Sequence, residues 1–276
     1  ETYTSSDFNF LSSLGNLAML SVQKTYLLRE RIEKERMEEE LNIARTIQEK
    51  LLPSPLPHCQ GLQIAAMNVP SQQVGGDYFD VISKEGLTYM AIADVTGKGI
   101  PASLLMANLQ AMLHVLTPLT DSLSVATGRI NDIIYKNTPS DKFISFFWGV
   151  YAPETQELRY SNAGHNPPIM LRKSSAAPVL LSDGGVLLGA MPTMVPYNSG
   201  TIKLEKEDII VMYTDGVSEA LSEAEEEYGE ERLEACVLRN RELDARGIMD
   251  AVIADVKKFT NGNYSDDITM LVLKKT

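Results

Sequence analysis

The chain has 276 residues, 44% of them hydrophobic and 22% charged, which fits one large globular domain or a domain with an appendage. Its net charge is −12 with no basic patch, and this argues against a nucleic-acid partner, which would need clustered Lys and Arg to neutralise phosphates. No apolar run is long enough to span a bilayer and nothing resembles a secretory signal, so no membrane element is expected here.

The first residue is Glu1 rather than Met, which reads as a fragment of a longer protein, with residues 1–13 as the tail of a missing upstream sensor domain. From Leu14 to Leu52 there is no Pro and, after Gly15, no Gly, so a long helix is expected. Met37, Leu41, Ala44, Gln48 and Leu51 follow the 4-3-4-3 spacing of a coiled-coil seam. Extended backwards, the frame meets Leu27 and Leu20 but also Lys34, Glu30 and Gln23. Two readings fit: a solvated helix lying on its own domain, or a dimerising signalling helix. Mixed seam residues set register at a cost in stability, which favours the second. Pro53, Pro55 and Pro57 end the helix in a stiff connector, so the linker covers 14–57 and a second domain 58–276.

Beyond the prolines the pattern changes to β-like runs at Leu62–Val69, Leu87–Ala93, Phe143–Tyr151, Leu158–Ser161, Ile169–Arg172, Ile209–Tyr213 and Ile268–Leu273. Helical stretches are expected at Ala102–Leu116, Leu123–Asn137, Glu230–Asn240 and Ala245–Phe259. Strands in runs with helices inserted in pairs predict an α+β chain, two packed sheets covered by helices rather than a doubly wound parallel sheet. Cys59 and Cys236 have no metal-ligand or redox spacing and read as reduced thiols of a cytoplasmic protein.

Four aspartates share one setting. Asp77 precedes a short apolar run, Asp94 and Asp215 each follow one, and Asp266 leads into the last. Gly75, Gly76, Gly97, Gly99 and Gly216 lie beside them. One Asp at a strand edge is more often a turn former or helix cap than a ligand. Four together point to a metal centre, because converging carboxylates need a cation and hard oxygens suit Mg²⁺ or Mn²⁺. Two such ions would also let an acidic chain act on a phosphoester. Asp80 and Asp267 read more weakly, as a turn cap and a strand cover. His165, in Gly-His-Asn-Pro-Pro, reads as a turn residue bonded to backbone rather than a general acid, and His58 and His114 as incidental.

Val74-Gly-Gly-Asp-Tyr-Phe-Asp80, Asp94-Val-Thr-Gly-Lys-Gly99, Asn162-Ala-Gly-His-Asn-Pro-Pro168, Tyr213-Thr-Asp-Gly-Val217 and Asp266-Asp-Ile-Thr269, in this order, resemble the bacterial SpoIIE-like, RsbU-like branch of the metal-dependent Ser/Thr protein phosphatases. The resemblance covers roughly residues 60 to 275, and Ala44-Arg-Thr-Ile-Gln-Glu-Lys-Leu-Leu-Pro53 resembles the helix that precedes such domains. It implies an αββα sandwich of two mainly antiparallel sheets flanked by helices, preceded here by the long helix, with two Mn²⁺ or Mg²⁺ ions. Asp94 would bridge the ions, the Val95 carbonyl would complete one, Asp215 and Asp266 would hold the other, and Asp77 would contribute directly or through water. Asp266 is taken over Asp267 because relatives often have Asn at the second position. A bridging hydroxide would attack phosphoserine or phosphothreonine on a protein, in related regulators an anti-sigma-factor antagonist, under a GAF or PAS-type sensor acting through the helix. Pro70-Ser-Gln-Gln-Val74 lacks the phosphate-holding arginine of the animal enzymes, so that group is left unassigned. Substrate contacts are expected on Thr117–Asp141 or the 173–200 loops. Two rivals stand beside this: a phospho-aspartate enzyme with Asp94 as nucleophile, and a catalytically silent phosphoprotein-binding scaffold of the same fold.

Overall fold

The computed structural model describes residues 4–119, 122–175 and 177–276, the side chain of Pro118 aside. The tail expected at 1–13 and the substrate-contact segments expected at 117–141 and 173–200 fall partly outside the described residues, at 1–3, 120–121 and 176. The chain divides into two compact units, Glu1–Ile47 and Gln48–Thr276.

Helix α1 (Ser5–Glu49) forms the first unit, and its last two residues belong to the second. It begins at Ser5, nine residues before Leu14, because Thr4 and Asp7 cap it reciprocally. The Thr4 N–H donates to Asp7 Oδ2 at 2.8 Å and the Asp7 N–H to Thr4 Oγ1 at 3.4 Å. Arg31–Glu35 at 2.8 Å and Arg36–Glu40 at 3.3 Å are i,i+4 pairs along its exposed surface. None of the described residues of α1 is buried.

The second unit contains two sheets. One has the order β1 (Leu62–Val69), β11 (Ile268–Lys275), β10 (Ile209–Tyr213), β6 (Ile169–Leu171) and β7 (Val179–Leu180). The other runs β2 (Tyr78–Lys84), β3 (Leu87–Val95), β4 (Ile144–Ala152), β5 (Glu157–Ala163) and β8 (Gly184–Gly185), with β9 (Gly200–Lys203) also on β5. Every pairing is antiparallel except β5 with β8. The helices are α2 (Ile100–Leu116), α3 (Leu123–Asn137), the short α4 (Asp215–Ser218), α5 (Glu230–Arg239) and α6 (Ala245–Phe259).

Three apolar layers hold these elements together. Strand β10 shows why they form: Ile209, Val211 and Tyr213 face α5 and α6, while Ile210 and Met212 face the other sheet. A period-two strand covered on both faces has to be apolar at every position. Between the sheets Phe79, Ile92 and Phe147 meet Met212 and Leu271, and on the far face Trp148 and Phe146 pack under Met106 and Leu109 of α2. Truncating one such side chain to Ala costs about 2–5 kcal/mol. The order helices, sheet, sheet, helices is the expected αββα sandwich.

Two local findings differ from the sequence expectation. Tyr78–Lys84, absent from the expected strands, is the edge strand β2, its apolar alternation interrupted by Asp80. Gln48 and Leu51, seam positions of the heptad frame, are used inside the second unit, where Leu51 and Leu52 pack on the core beneath α2 and α3.

Candidate metal centre

All four candidate aspartates lie at one end of the sandwich, where β3 and β10 finish and β2 and β11 begin. Tyr78 pairs with Ala93, so the antiparallel register sets Asp77 opposite Asp94. Asp94 lies inside β3, paired with Ser145, and Asp77 sits before the edge strand β2 rather than a central one. In the other sheet Tyr213 pairs with Met270, and the chain beyond each carries Asp215 and the Asp266–Asp267 doublet past one another. The approach is close enough to require glycine at 216, where a Cβ would stand 1.9 Å from the Asp267 carbonyl oxygen. Thr214 ties the two sheets together, its hydroxyl donating to Asp77 Oδ2 at 2.8 Å and accepting from the Thr269 N–H at 3.1 Å.

The convergence is electrostatically costly. Burial, then the charges of Asp215 and Asp266, push Asp94 up to about 7. Burial, then the charge of Asp94, holds Asp77 well above the carboxylate range. Asp215 is raised by burial and by Asp266, and partly relieved by Lys98. Lys98 Nζ lies 2.9 Å from Asp266 Oδ2. Nearby cations are what such a cluster calls for.

The doublet divides its work. Asp267 accepts from the Ser71 N–H at 2.6 Å and the Ser71 hydroxyl at 2.7 Å through one oxygen, and from the Gly76 N–H at 2.8 Å through the other. Both its oxygens are thus committed to the 71–76 loop, whereas Asp266 accepts from the Asp267 N–H through Oδ1 and faces Lys98 through Oδ2. Gln48 grips the same loop: its Nε2 donates to the Gly75 carbonyl at 2.8 Å and its Oε1 accepts from the Gly75 N–H at 3.1 Å. No spacing in the sequence marks Gln48, which the heptad frame assigned to a seam.

Asp80 is buried and accepts from the Tyr78 hydroxyl and the Val81 N–H. His114 Nε2 lies 2.7 Å from its Oδ2, so His114 is not incidental but ties α2 to β2. His165 is buried against backbone, with Nε2 3.1 Å from the Tyr213 carbonyl.

Four carboxylates and the Val95 carbonyl, whose oxygen lies 3.0 Å from where a Cβ on Gly76 would be, are a donor set suited to hard divalent cations. Among the described residues no three His, Cys, Asp or Glu side chains form a ready-made cage for one ion.

The family model described as Stage II sporulation protein E (SpoIIE) matches residues 84–276. The chain belongs to the SpoIIE family. This places it in the SpoIIE-like, RsbU-type branch of the metal-dependent phosphatases. It is 28% identical over 239 residues to phosphoserine phosphatase RsbU of Bacillus subtilis, covering 86% of this chain and 70% of RsbU. It is also 28% identical over 267 residues to protein IcfG of Synechocystis, covering 85% of this chain but only 41% of IcfG. Among solved structures, the SiaA-PP2C domain of Pseudomonas aeruginosa superposes with a TM-score of 0.74 at 16% identity, covering 88% of this chain and 98% of that domain. The catalytic domain of the serine/threonine phosphatase PstP, solved with two manganese ions, has a TM-score of 0.57 at 14% identity, covering 77% of this chain and 97% of that one. The SpoIIE-family fold is therefore the αββα sandwich that the five motifs imply. No helix among the described residues is long and apolar enough to cross a membrane.

Proposed function

We propose that this SpoIIE-family chain removes phosphate from serine or threonine of a regulatory protein, using Mn²⁺ or Mg²⁺ held by Asp77, Asp94, Asp215, Asp266 and the Val95 carbonyl. The observation that carries this reading is the meeting of four carboxylates, two from each sheet, at one end of the sandwich. By resemblance to the family, Asp94 would be the ligand common to both ions. Asp215 and Asp266 would help to hold one ion, the Val95 carbonyl would complete the other, and Asp77 would join directly or through water. Asp266 is taken over Asp267, whose oxygens are buried on the backbone of the 71–76 loop while Asp266 stays more exposed. Bound ions of this kind supply a water of lowered pKa and neutralise charge on the phosphoryl group. With Asp94 committed as a ligand, no phospho-aspartate forms.

Beside Asp215 and Asp266 lies a cavity of about 170 Å³, also lined by Gly216, Glu219, Leu221, Glu227 and Ser265. Larger cavities, such as the 570 Å³ groove between α5 and α6, contain none of the four carboxylates. Similarity to RsbU supports phosphoserine as target and, by extension, an anti-sigma-factor antagonist as substrate. The exposed apolar side chains of α1, among them Leu20 and Leu27, support a homodimer through this helix and control by an upstream sensor.

The test is hydrolysis of p-nitrophenyl phosphate against Mn²⁺ concentration, for wild type and Asp94→Asn. Turnover that needs Mn²⁺ and falls at least roughly a thousandfold in the variant is expected, because the bridging position has no substitute. Mn²⁺ bound without turnover would favour the silent scaffold. Absence of Mn²⁺ binding would end the metal reading.

A further inference from the structure

We propose that Lys98 is the group that receives the substrate phosphate, the role left open by the loop Pro70–Val74. The inference rests on the phosphatase reading and deepens it. Lys98 stands in the turn joining β3 to α2, between Gly97 and Gly99, whose φ angles of 91° and 73° bend the backbone back beside Asp94. Its ammonium reaches across to the start of β11, donating to the Ser265 carbonyl at 2.6 Å and pairing with Asp266 at 2.9 Å. The side chain remains 39% exposed, open to an arriving ligand. Lys142 approaches the same turn, its Nζ 3.0 Å from where a Cβ on Gly97 would be.

Charge balance gives the turn its purpose. Four carboxylates and two divalent ions neutralise each other, so a phosphomonoester dianion entering that centre needs further positive charge. An ammonium has three N–H donors, and Ser265 and Asp266 engage two of them. The third can hold a phosphate oxygen without releasing either partner. A lysine used this way is a point charge on a flexible stem, able to follow the phosphate as a docked protein settles.

The alternative is structural, with Lys98 serving only to tie the turn to Ser265. Lys98→Met separates the two because the outcomes differ in sign. Binding of inorganic phosphate to the Mn²⁺-loaded protein and binding of Mn²⁺ itself are measured by calorimetry, alongside KM for p-nitrophenyl phosphate. Phosphate affinity is expected to fall roughly tenfold, as for a lost charge-assisted hydrogen bond, and KM to rise in step. Mn²⁺ affinity should hold or tighten, since a competing cation has left Asp266. Lys98→Arg should recover most of the phosphate affinity. Unchanged phosphate affinity would overturn the proposal, as would phosphate and Mn²⁺ affinities falling together. A wild type that hydrolyses with Mn²⁺ while the variant binds phosphate normally sinks only Lys98, whereas a wild type that binds no Mn²⁺ sinks both readings.

Discussion

At the scale of single residues, His165 shows how a side chain in a site-like motif can belong to the fold. Its Nε2 faces the Tyr213 carbonyl, which can only accept, so Nε2 carries the proton and Nδ1 accepts from the Ser145 hydroxyl 2.8 Å away. Full burial pushes the imidazole down from 6.5 to about 4. Between those values the unfolded chain takes up a proton that the folded one refuses, so this group's contribution is complete above pH 6.5 and is lost as pH falls toward 4. The loss is about 3 kcal/mol. Asp94 works in the opposite direction in ion-free protein. Raised from 3.8 to about 7, it favours the fold at low pH and loses that contribution as pH rises through about 7. Denaturant unfolding of wild type and His165→Gln from pH 7 to 4 isolates the histidine, because Asp94 is common to both. The stability difference between them should shrink as pH falls, and a constant difference would refute the assignment.

At the scale of elements, the end of α1 and the 71–76 loop act as one piece. Gln48 satisfies both backbone groups of Gly75 while Asp267 holds Gly76 and Ser71, and Asp77 follows directly. Gln48→Ala leaves a part-buried N–H and C=O without these partners, at a cost of about 1–3 kcal/mol. Because the loosened segment carries Asp77, Mn²⁺ affinity should fall severalfold along with the melting temperature. A lower melting temperature with unchanged Mn²⁺ affinity would leave Gln48 a purely structural role. The charge of Gln48→Glu is no remedy, since a carboxylate cannot donate to the Gly75 carbonyl.

At the scale of the whole molecule, the two units differ in what they bury. The second has three apolar layers of its own, whereas α1 offers 45 residues with none buried among those described. Phe10, Leu17, Leu20 and Leu27 are each more than half exposed, and large apolar side chains left in water along one helix call for a partner. A chain beginning at Gln48 should keep its melting temperature within a few degrees and sediment as a monomer. The 276-residue chain should self-associate with rising concentration. Identical sedimentation of the two would remove the dimer.

What was legible in the sequence was local. β1, β10, α3 and α6 have the bounds that periodicity predicts, because a covered strand or a one-sided helix writes its burial into consecutive residues. The candidate aspartates were legible too, since each sits where an apolar run meets a turn. The start of α1 was not, because its cap rests on two polar residues, Thr4 and Asp7, outside the apolar pattern. Only the tertiary structure decided the rest. It set Asp267 on Ser71, 196 residues away, and Lys98 on Ser265, 167 away. It also brought His114 to Asp80 and Gln48 to Gly75. Periodicity reports which face of an element is dry. Which distant polar group meets another there is set by strand register and by the packing of sheet on sheet, and that leaves no trace in local spacing.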